Sequence, residues 1–373
     1  MSKSMQLMLL MGGLVPQPVP QQLADALQSV QVNSGVGQRG GFQLSFAVSK
    51  RSLITQALLP AGFLDPKTRV IIVTILGGMP TVLMDGVITR QEMSPSDTPG
   101  GSTLTITGED LTLLFDLVHR KVAWPAVPPE ARVAAICARY ARYGIVPVPI
   151  PPVFRDMVDP LERIPVQPCT DLEYINALAD VAGYTFFIEP GPLPGANIAY
   201  WGPEARFGLL QPALNINMDA ATNVESMSFS FDGLTRTQYT ITRVEPITKI
   251  GVPIPVPDIS LLRPPLAARP AITLKQQPLP DSGNLDLVEA MLLGLAKTTQ
   301  ASDAISGQGK LDVLRYGHPL KARHLVGVRG AGLAYDGAYF VKSVTHEIKR
   351  GDYKQSFTLA RDGLVALTPQ VVP

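Results

Sequence analysis

A chain of 373 residues and 40.1 kDa, at roughly 100–200 residues per domain, holds two or three domains with sizeable cores. Only 17% of residues are charged, against a usual figure of about 25%, and mean hydropathy is +0.16, which excludes a disordered chain. Lys and Arg number 32 and Asp and Glu 31, so a net charge of +1 gives no electrostatic drive toward nucleic acid or anionic lipid, and 35 prolines with 32 glycines argue against a helical bundle.

Met5 to Val15 is an apolar run too short to span a bilayer, which needs about 20 residues. It continues into Pro16-Gln17-Pro18-Val19-Pro20 without a small-residue cleavage pattern, so it reads as a first buried strand rather than a signal peptide. Leu23, Ala26, Leu27 and Val30 fall at i, i+3, i+4 and i+7, which predicts a short helix over Gln22 to Val30. Strand patterns then dominate. Phe42, Leu44 and Phe46 alternate with polar residues, Val70 to Leu76 is a β-branched run, and Val82 to Thr89 and Ser102 to Thr107 follow across a polar loop. Together these pieces predict an antiparallel, barrel-like unit.

A helix is expected from Gly108, with Glu109 and Asp110 in its first turn. After the connector Trp124 to Pro129, a helix is expected over Pro129 to Arg142, with Val133, Ile136, Cys137 and Tyr140 inward and Gly144 as its stop. The tract Val146 to Val153 reads as extended. Thr170 and Glu173 form a capping box for a helix that buries Leu172, Ile175, Leu178 and Ala179 and ends at Gly183. Strands at Tyr184 to Ile188 and Ile198 to Trp201 complete a small α/β unit. The alternating Ser226 to Phe231 and the turn at Asp232-Gly233 predict a hairpin with Gln238 to Thr242. Pro246 to Pro280 carries nine prolines and is expected to be an extended excursion without a core of its own. A helix over Leu285 to Lys297, a small-residue loop over Thr298 to Gly309 and closing strands at Leu325 to Val328, Gly337 to Thr345 and Tyr353 to Ala360 end the chain. The fold class is mainly β with α/β insertions.

One order of features occurs twice. Pro66-Lys67-Thr68-Arg69, a strand, Gly77-Gly78, Asp85-Gly86, a strand and Thr103 to Thr107 are matched by Pro319 to Arg323, Leu325-Val326, Gly330-Ala331-Gly332, Asp336-Gly337, a strand and Ser356 to Leu359. A chain with two copies of one β unit lets a trimer present six similar surfaces.

No catalytic or metal-binding pattern stands out. His119, His318, His324 and His346 are not at metal-ligand spacing, and no Gly-x-Ser-x-Gly elbow or Cys/His pair is recognisable. Cys137 and Cys169 read as two free thiols. Gly307-Gln308-Gly309-Lys310 lacks the first Gly and the final Ser or Thr of a phosphate loop and reads as a flexible turn. Asp159 and Glu162 are the carboxylates to consider for glycoside hydrolysis, although a solvated turn explains them. Trp124 and Trp201 read as packing residues, and Arg132, Arg139 and Arg142 as a solvated face or protein interface. No catalytic residue, cofactor site or metal site is assigned, and the chain is not expected to be an enzyme.

The run Gly309 to Gly317, with Gly330-Ala331-Gly332, Asp336 to Val341, Ser343 to His346 and Gly351 to Leu359, resembles the phage late control protein D or tail hub family. That family includes the baseplate hubs of contractile injection systems and the hub part of type VI secretion spike proteins. Asp171 to Ala179 followed by Gly183-Tyr184-Thr185-Phe186-Phe187 is similar to the family's segment of a helix and a Gly-Tyr-aromatic strand. The resemblance implies two related tail-hub β-barrels per chain and a homotrimer forming a pseudo-sixfold ring, the second barrel being interrupted by an insertion. The expected division is residues 1–120 for the first barrel, 121–213 for an inserted α/β domain, 214–245 with 309–373 for the second barrel, and 246–308 for a proline-rich insertion with one helix. Because Pro373 follows soon after the second barrel, a separate spike protein is expected.

The implied function is a structural baseplate hub that adapts a sixfold inner tube to a threefold spike. Its expected partners are the tube protein hexamer, the spike trimer and other baseplate proteins, with neither nucleic-acid binding nor membrane insertion. Assembly is expected in the cytoplasm, as part of a phage tail or injection particle that can be released. Two alternatives are a tail-associated cell-wall hydrolase and a surface-binding module of tandem β-domains.

Overall fold

The computed structural model describes residues 5–97, 101–152, 164–244, 251–256, 263–280 and 287–368. Its first part contributes β1 (Met5–Gly12), α1 (Gln21–Ala26), β2 (Leu27–Gly35), β3 (Gln38–Ala47), β4 (Arg69–Leu76), β5 (Met79–Ser94) and β6 (Thr103–Asp110). The helix expected through Val30 stops at Ala26. Val30 and Val32 instead face Leu44 and Phe42 across a β ladder, and that long-range burial outweighs the helical spacing. The helix expected from Gly108 also begins later, because β6 continues to Asp110. The Asp110 carboxylate accepts the Gly40 N–H at 2.6 Å and the Thr112 N–H at 2.9 Å, capping a 3-10 helix over Leu111–Asp116.

The α/β unit follows with α2 (Pro129–Ala138), β7 (Ile145–Pro149), α3 (Asp171–Ala182), β8 (Thr185–Pro190) and β9 (Asn197–Gly202). Gly144 (φ 74°) and Gly183 (φ 67°) end helical segments in the left-handed region, and the Thr170–Glu173 capping box opens α3. The strands pair in the order β8-β9-β7, and Ile136, Ile175 and Trp201 lie at the centre of their core.

The last part contributes β10 (Gln211–Asn215), β11 (Val224–Phe231), β12 (Thr237–Val244), β13 (Gly251–Pro255), β14 (Lys275–Pro278), α4 (Leu287–Gln300), β15 (Ile305–Asp312), α5 (Val313–Tyr316), β16 (Leu325–Arg329), β17 (Gly337–Lys349) and β18 (Asp352–Arg361). The hairpin expected at Asp232-Gly233 is absent. Asp232 does accept the Leu234 N–H at 2.9 Å, but β11 pairs with β15 while β12 joins β13 and β14 in a separate sheet. Nor does the proline-rich excursion lack a core, since Val256 and Leu279 pack with Ile241 and with Ala290 of α4. Helix α4 and strand β15 also occupy most of the expected loop Thr298 to Gly309.

One thirteen-stranded sheet runs through both ends of the chain. Within it the order β2-β3-β6-β5-β4-β1 is repeated by β11-β15-β18-β17-β16-β10, strand for strand in chain order. The irregularities repeat as well. Leu27 faces Phe46 before the register shifts to Ser29 opposite Ser45, and Val224 faces Leu311 before it shifts to Ser226 opposite Lys310. A second shift falls between Ile88 and Arg90 in β5 and between Val341 and Ser343 in β17. β-Bulges are position-specific features, so coincidence at two sites marks one structural unit used twice. The bulges match Val87 to Phe340, so the two Asp-Gly pairs of the sequence do not superpose: Gly86 lies inside β5 opposite Asp110, whereas Gly337 begins β17. The copies differ at one edge, where β1 is antiparallel to β4 but β10 is parallel to β16. They join through β17 and β2, from Ser343 opposite Gly35 to Lys349 opposite Ser29, above one shared core.

Candidate functional site

The side chains with chemical potential are mostly used to hold the fold. His346 is buried, and its Nδ1 accepts from Tyr353 Oη at 2.8 Å and Gln355 Nε2 at 3.1 Å, leaving the proton of the neutral ring on Nε2. Burial pushes its pKa down to about 3. Cys137 is buried and its thiol is pushed up to about 12, so it is a poor nucleophile, and burial also raises the half-buried Cys169. No group of three or more His, Cys, Asp or Glu among the described residues is arranged to hold a metal ion.

Trp124 and Trp201 are core residues. Of the expected solvated face, Arg139 and Arg142 are exposed and only Arg132 is buried. Arg132 donates to Val127 O at 2.6 Å and Tyr174 Oη at 3.2 Å, and Arg139 reaches the Asp171 carboxylate at 2.8 Å, so both tie α2 to its surroundings. Arg142 lies over the Tyr143 ring at 5.2 Å. Gly307 and Gly309 are inside β15, not in a flexible turn. A Cβ on Gly307 would lie 3.1 Å from the Phe229 ring, and one on Gly309 would lie 2.5 Å from Phe357 Cζ, so these glycines make room for aromatic rings. Asp159 and Glu162 lie outside the described residues.

A cleft of about 800 Å³ lies between the β2–β3 turn, α3, β8 and the turn before β16. Its Arg323 is occupied structurally, with its guanidinium 4.2 Å from the Phe187 ring and an N–H donated to Gly35 O at 2.7 Å. Another charged cluster joins Arg206 and Arg263 to Glu204 and Asp303, and Lys342 reaches Asp303 at 2.8 Å. These contacts cross-link segments distant in sequence.

Open backbone is found at two strand edges. β5 beyond its bulge, from Arg90 to Ser94, pairs only with β6 among the described residues, and all five residues are exposed. Met93 stands on the core side, opposite the buried Leu104, yet is 45% exposed, with no strand covering it among the described residues. Among the described residues β11 pairs only with β15, and its terminal Phe231 is 43% exposed. The sequence pattern ends the first of these strands at Thr89, because Arg90-Gln91-Glu92 is polar and looks like the start of a loop. Free N–H and C=O groups along such an edge are a template for another strand.

No protein-family model and no curated relative matches the chain. Solved structures do. A tail protein from Neisseria meningitidis MC58 matches over 97% of this chain and 98% of its own, with a TM-score of 0.63 and 13% identity. The 43 kDa tail protein of prophage MuSo2 from Shewanella oneidensis matches over 97% and 100%, with a TM-score of 0.64 and 12% identity.

The chain has the phage tail-protein fold.

The same tail-protein fold extends to the E. coli c3393 protein, a component of the type VI secretion system described as structurally similar to T4 bacteriophage tail proteins gp27 and gp5. That match covers 93% of this chain and 77% of the other, with a TM-score of 0.54 and 10% identity. These neighbours agree with the tail hub family resemblance read from Gly309 to Leu359 and from Asp171 to Phe187. Among the described residues of this tail-protein fold, no helix is long and apolar enough to cross a membrane.

Proposed function

We propose that the chain is the structural baseplate hub of a contractile tail or injection system, a homotrimer that adapts a sixfold inner tube to a threefold spike. The repeated six-strand order, with its two matched bulges, carries this reading. Three chains with two copies each offer six similar units to a sixfold tube, while the differences between copies preserve threefold symmetry for a spike. On this reading residues 1–120 form the first hub barrel, and residues 214–245 with 309–373 form the second. Residues 121–213 and 246–308 are insertions carried on them. The partners are the spike trimer, the tube protein hexamer and other baseplate proteins, and the assembled particle is where the protein acts.

The task is shape and symmetry matching, and it involves no bond-making step. The structural use of His346, Cys137 and the buried arginines fits such a role. Co-expression with the tube and spike proteins of the same particle tests it. The chain is expected to be retained as one ring between the spike and a stack of tube hexamers. Retention on tail fibres, without tube or spike, contradicts it.

A further inference from the structure

We propose that β5 beyond its bulge pairs antiparallel with β11 of a second copy of this chain, in the register that β17 already makes with β2 inside one chain. This deepens the proposed trimer and rests on it for the number of copies. The joint β17–β2 runs from Ser343 opposite Gly35 to Lys349 opposite Ser29, extended by the Val36 N–H donated to Lys342 O at 2.9 Å. The repeat makes β5 the counterpart of β17 and β2 the counterpart of β11. The shared bulge equates Arg90 with Ser343, and the shared ladder equates Asn33 with Ser230. The covered half of β17 therefore corresponds to the open Arg90–Ser94, and the covered edge of β2 corresponds to the open edge of β11.

Carrying the internal register across places Arg90 opposite Asp232, Gln91 opposite Phe231, Glu92 opposite Ser230 and Met93 opposite Phe229. Three features of these residues suit the pairing. Arg90 meets an opposite charge. Met93 and Phe231, both exposed in one chain, acquire cover, and Met93 meets an aromatic ring. The Ser-rich outer face of β11 brings no like charge against Glu92. The contact is head-to-tail, using two different edges, so it must close into a ring or continue as a filament. No single chain can satisfy both edges in the way β17 and β2 satisfy each other.

The bond from Val36 to Lys342 sets the phase of the ladder, making Thr345–Asn33 a non-hydrogen-bonded pair, and Glu92–Ser230 is its counterpart. Such pairs bring Cα atoms to about 4.5 Å, within disulfide reach. The test is oxidation of E92C/S230C in a C169S background, read on non-reducing gels beside native mass. Both sites are exposed, and native mass equal to that of the parent shows that the variant folds and assembles. The expected result is conversion to a covalent trimer, with each single variant and E92C/E225C staying uncross-linked. A native trimer without cross-links overturns the strand pairing and leaves the hub reading standing. Cross-links that continue beyond the trimer uphold the pairing and overturn threefold closure. A native monomer without cross-links, even beside its spike, overturns both. Independently, R90E is expected to raise the concentration needed for assembly severalfold and R90E/D232R to restore it; failure of that rescue counts against the register.

Discussion

Lys67 and Arg323 occupy the same point in two copies of one turn. Lys67 (φ 71°) donates its N–H to Ile88 O at 2.9 Å, and Ile88 returns an N–H to Thr68 O at 2.9 Å. Arg323 (φ 64°) donates to Val341 O at 2.8 Å, and Val341 returns an N–H to His324 O at 2.9 Å. Each turn delivers the chain into the strand that pairs with the bulged strand of its copy, β4 with β5 and β16 with β17, and each carbonyl partner, Ile88 or Val341, sits at the bulge.

The equivalent backbones carry unequal side chains, which separates two effects. Lys67 is exposed, so Lys67→Gly mainly removes the cost of a left-handed L-residue, about 1 kcal/mol, and should leave stability equal or slightly higher. Arg323→Gly also removes the contacts to Phe187 and Gly35 and should lower stability by about 2 kcal/mol or more. Urea titrations of the two variants check the contrast, and equal losses would refute it.

His346 makes stability pH-dependent in acid. Its folded pKa of about 3 lies below the ordinary 6.5, so the unfolded chain takes up a proton that the folded chain refuses. This contribution is complete above pH 6.5 and falls away toward pH 3, by up to about 1.4 kcal/mol per pH unit. His346→Gln should flatten the decline between pH 6 and pH 4, in the range bounded by those two values. Thermal melts of parent and variant across that range measure the difference, and parallel curves would argue against it.

Arg69 and Asp85 hold the α/β unit to the sheet. Arg69 donates twice to the Asp85 carboxylate, at 2.8 and 2.7 Å, and to Tyr143 O at 2.7 Å, while Asn197 Nδ2 donates to Asp85 at 2.8 Å. Asp85→Ala strands a buried guanidinium and should cost about 3–5 kcal/mol. It should also expose residues 121–213 to limited proteolysis earlier than the rest. The double variant R69M/D85L should cost less than Asp85→Ala, since no unpaired charge remains.

Legibility in the sequence followed the range of the forces involved. The Thr170–Glu173 capping box and the alternation of Phe42, Leu44 and Phe46 are local patterns with local causes, and both are present in the fold. Leu27 and Val30 satisfy a helical spacing and a strand equally well, and only their long-range partners Phe46 and Leu44 decide between them. Asp232-Gly233 makes its turn, but the strand after it pairs elsewhere because β15, about seventy residues on, covers β11. The same reason hid the open edges. Whether Arg90 to Ser94 is a strand edge or a loop depends on the sheet order, which no local pattern carries. The duplication was visible as repeated residues, although bulge positions, not Asp-Gly pairs, give its true alignment.

The most direct test of the hub account is the native mass of the purified chain, alone and with its spike protein, followed by class averages of the particle. The account predicts a particle of about 120 kDa, three times the 40.1 kDa chain, with a ring-shaped top view of apparent sixfold symmetry. A 40.1 kDa monomer that ignores the spike protein would contradict it.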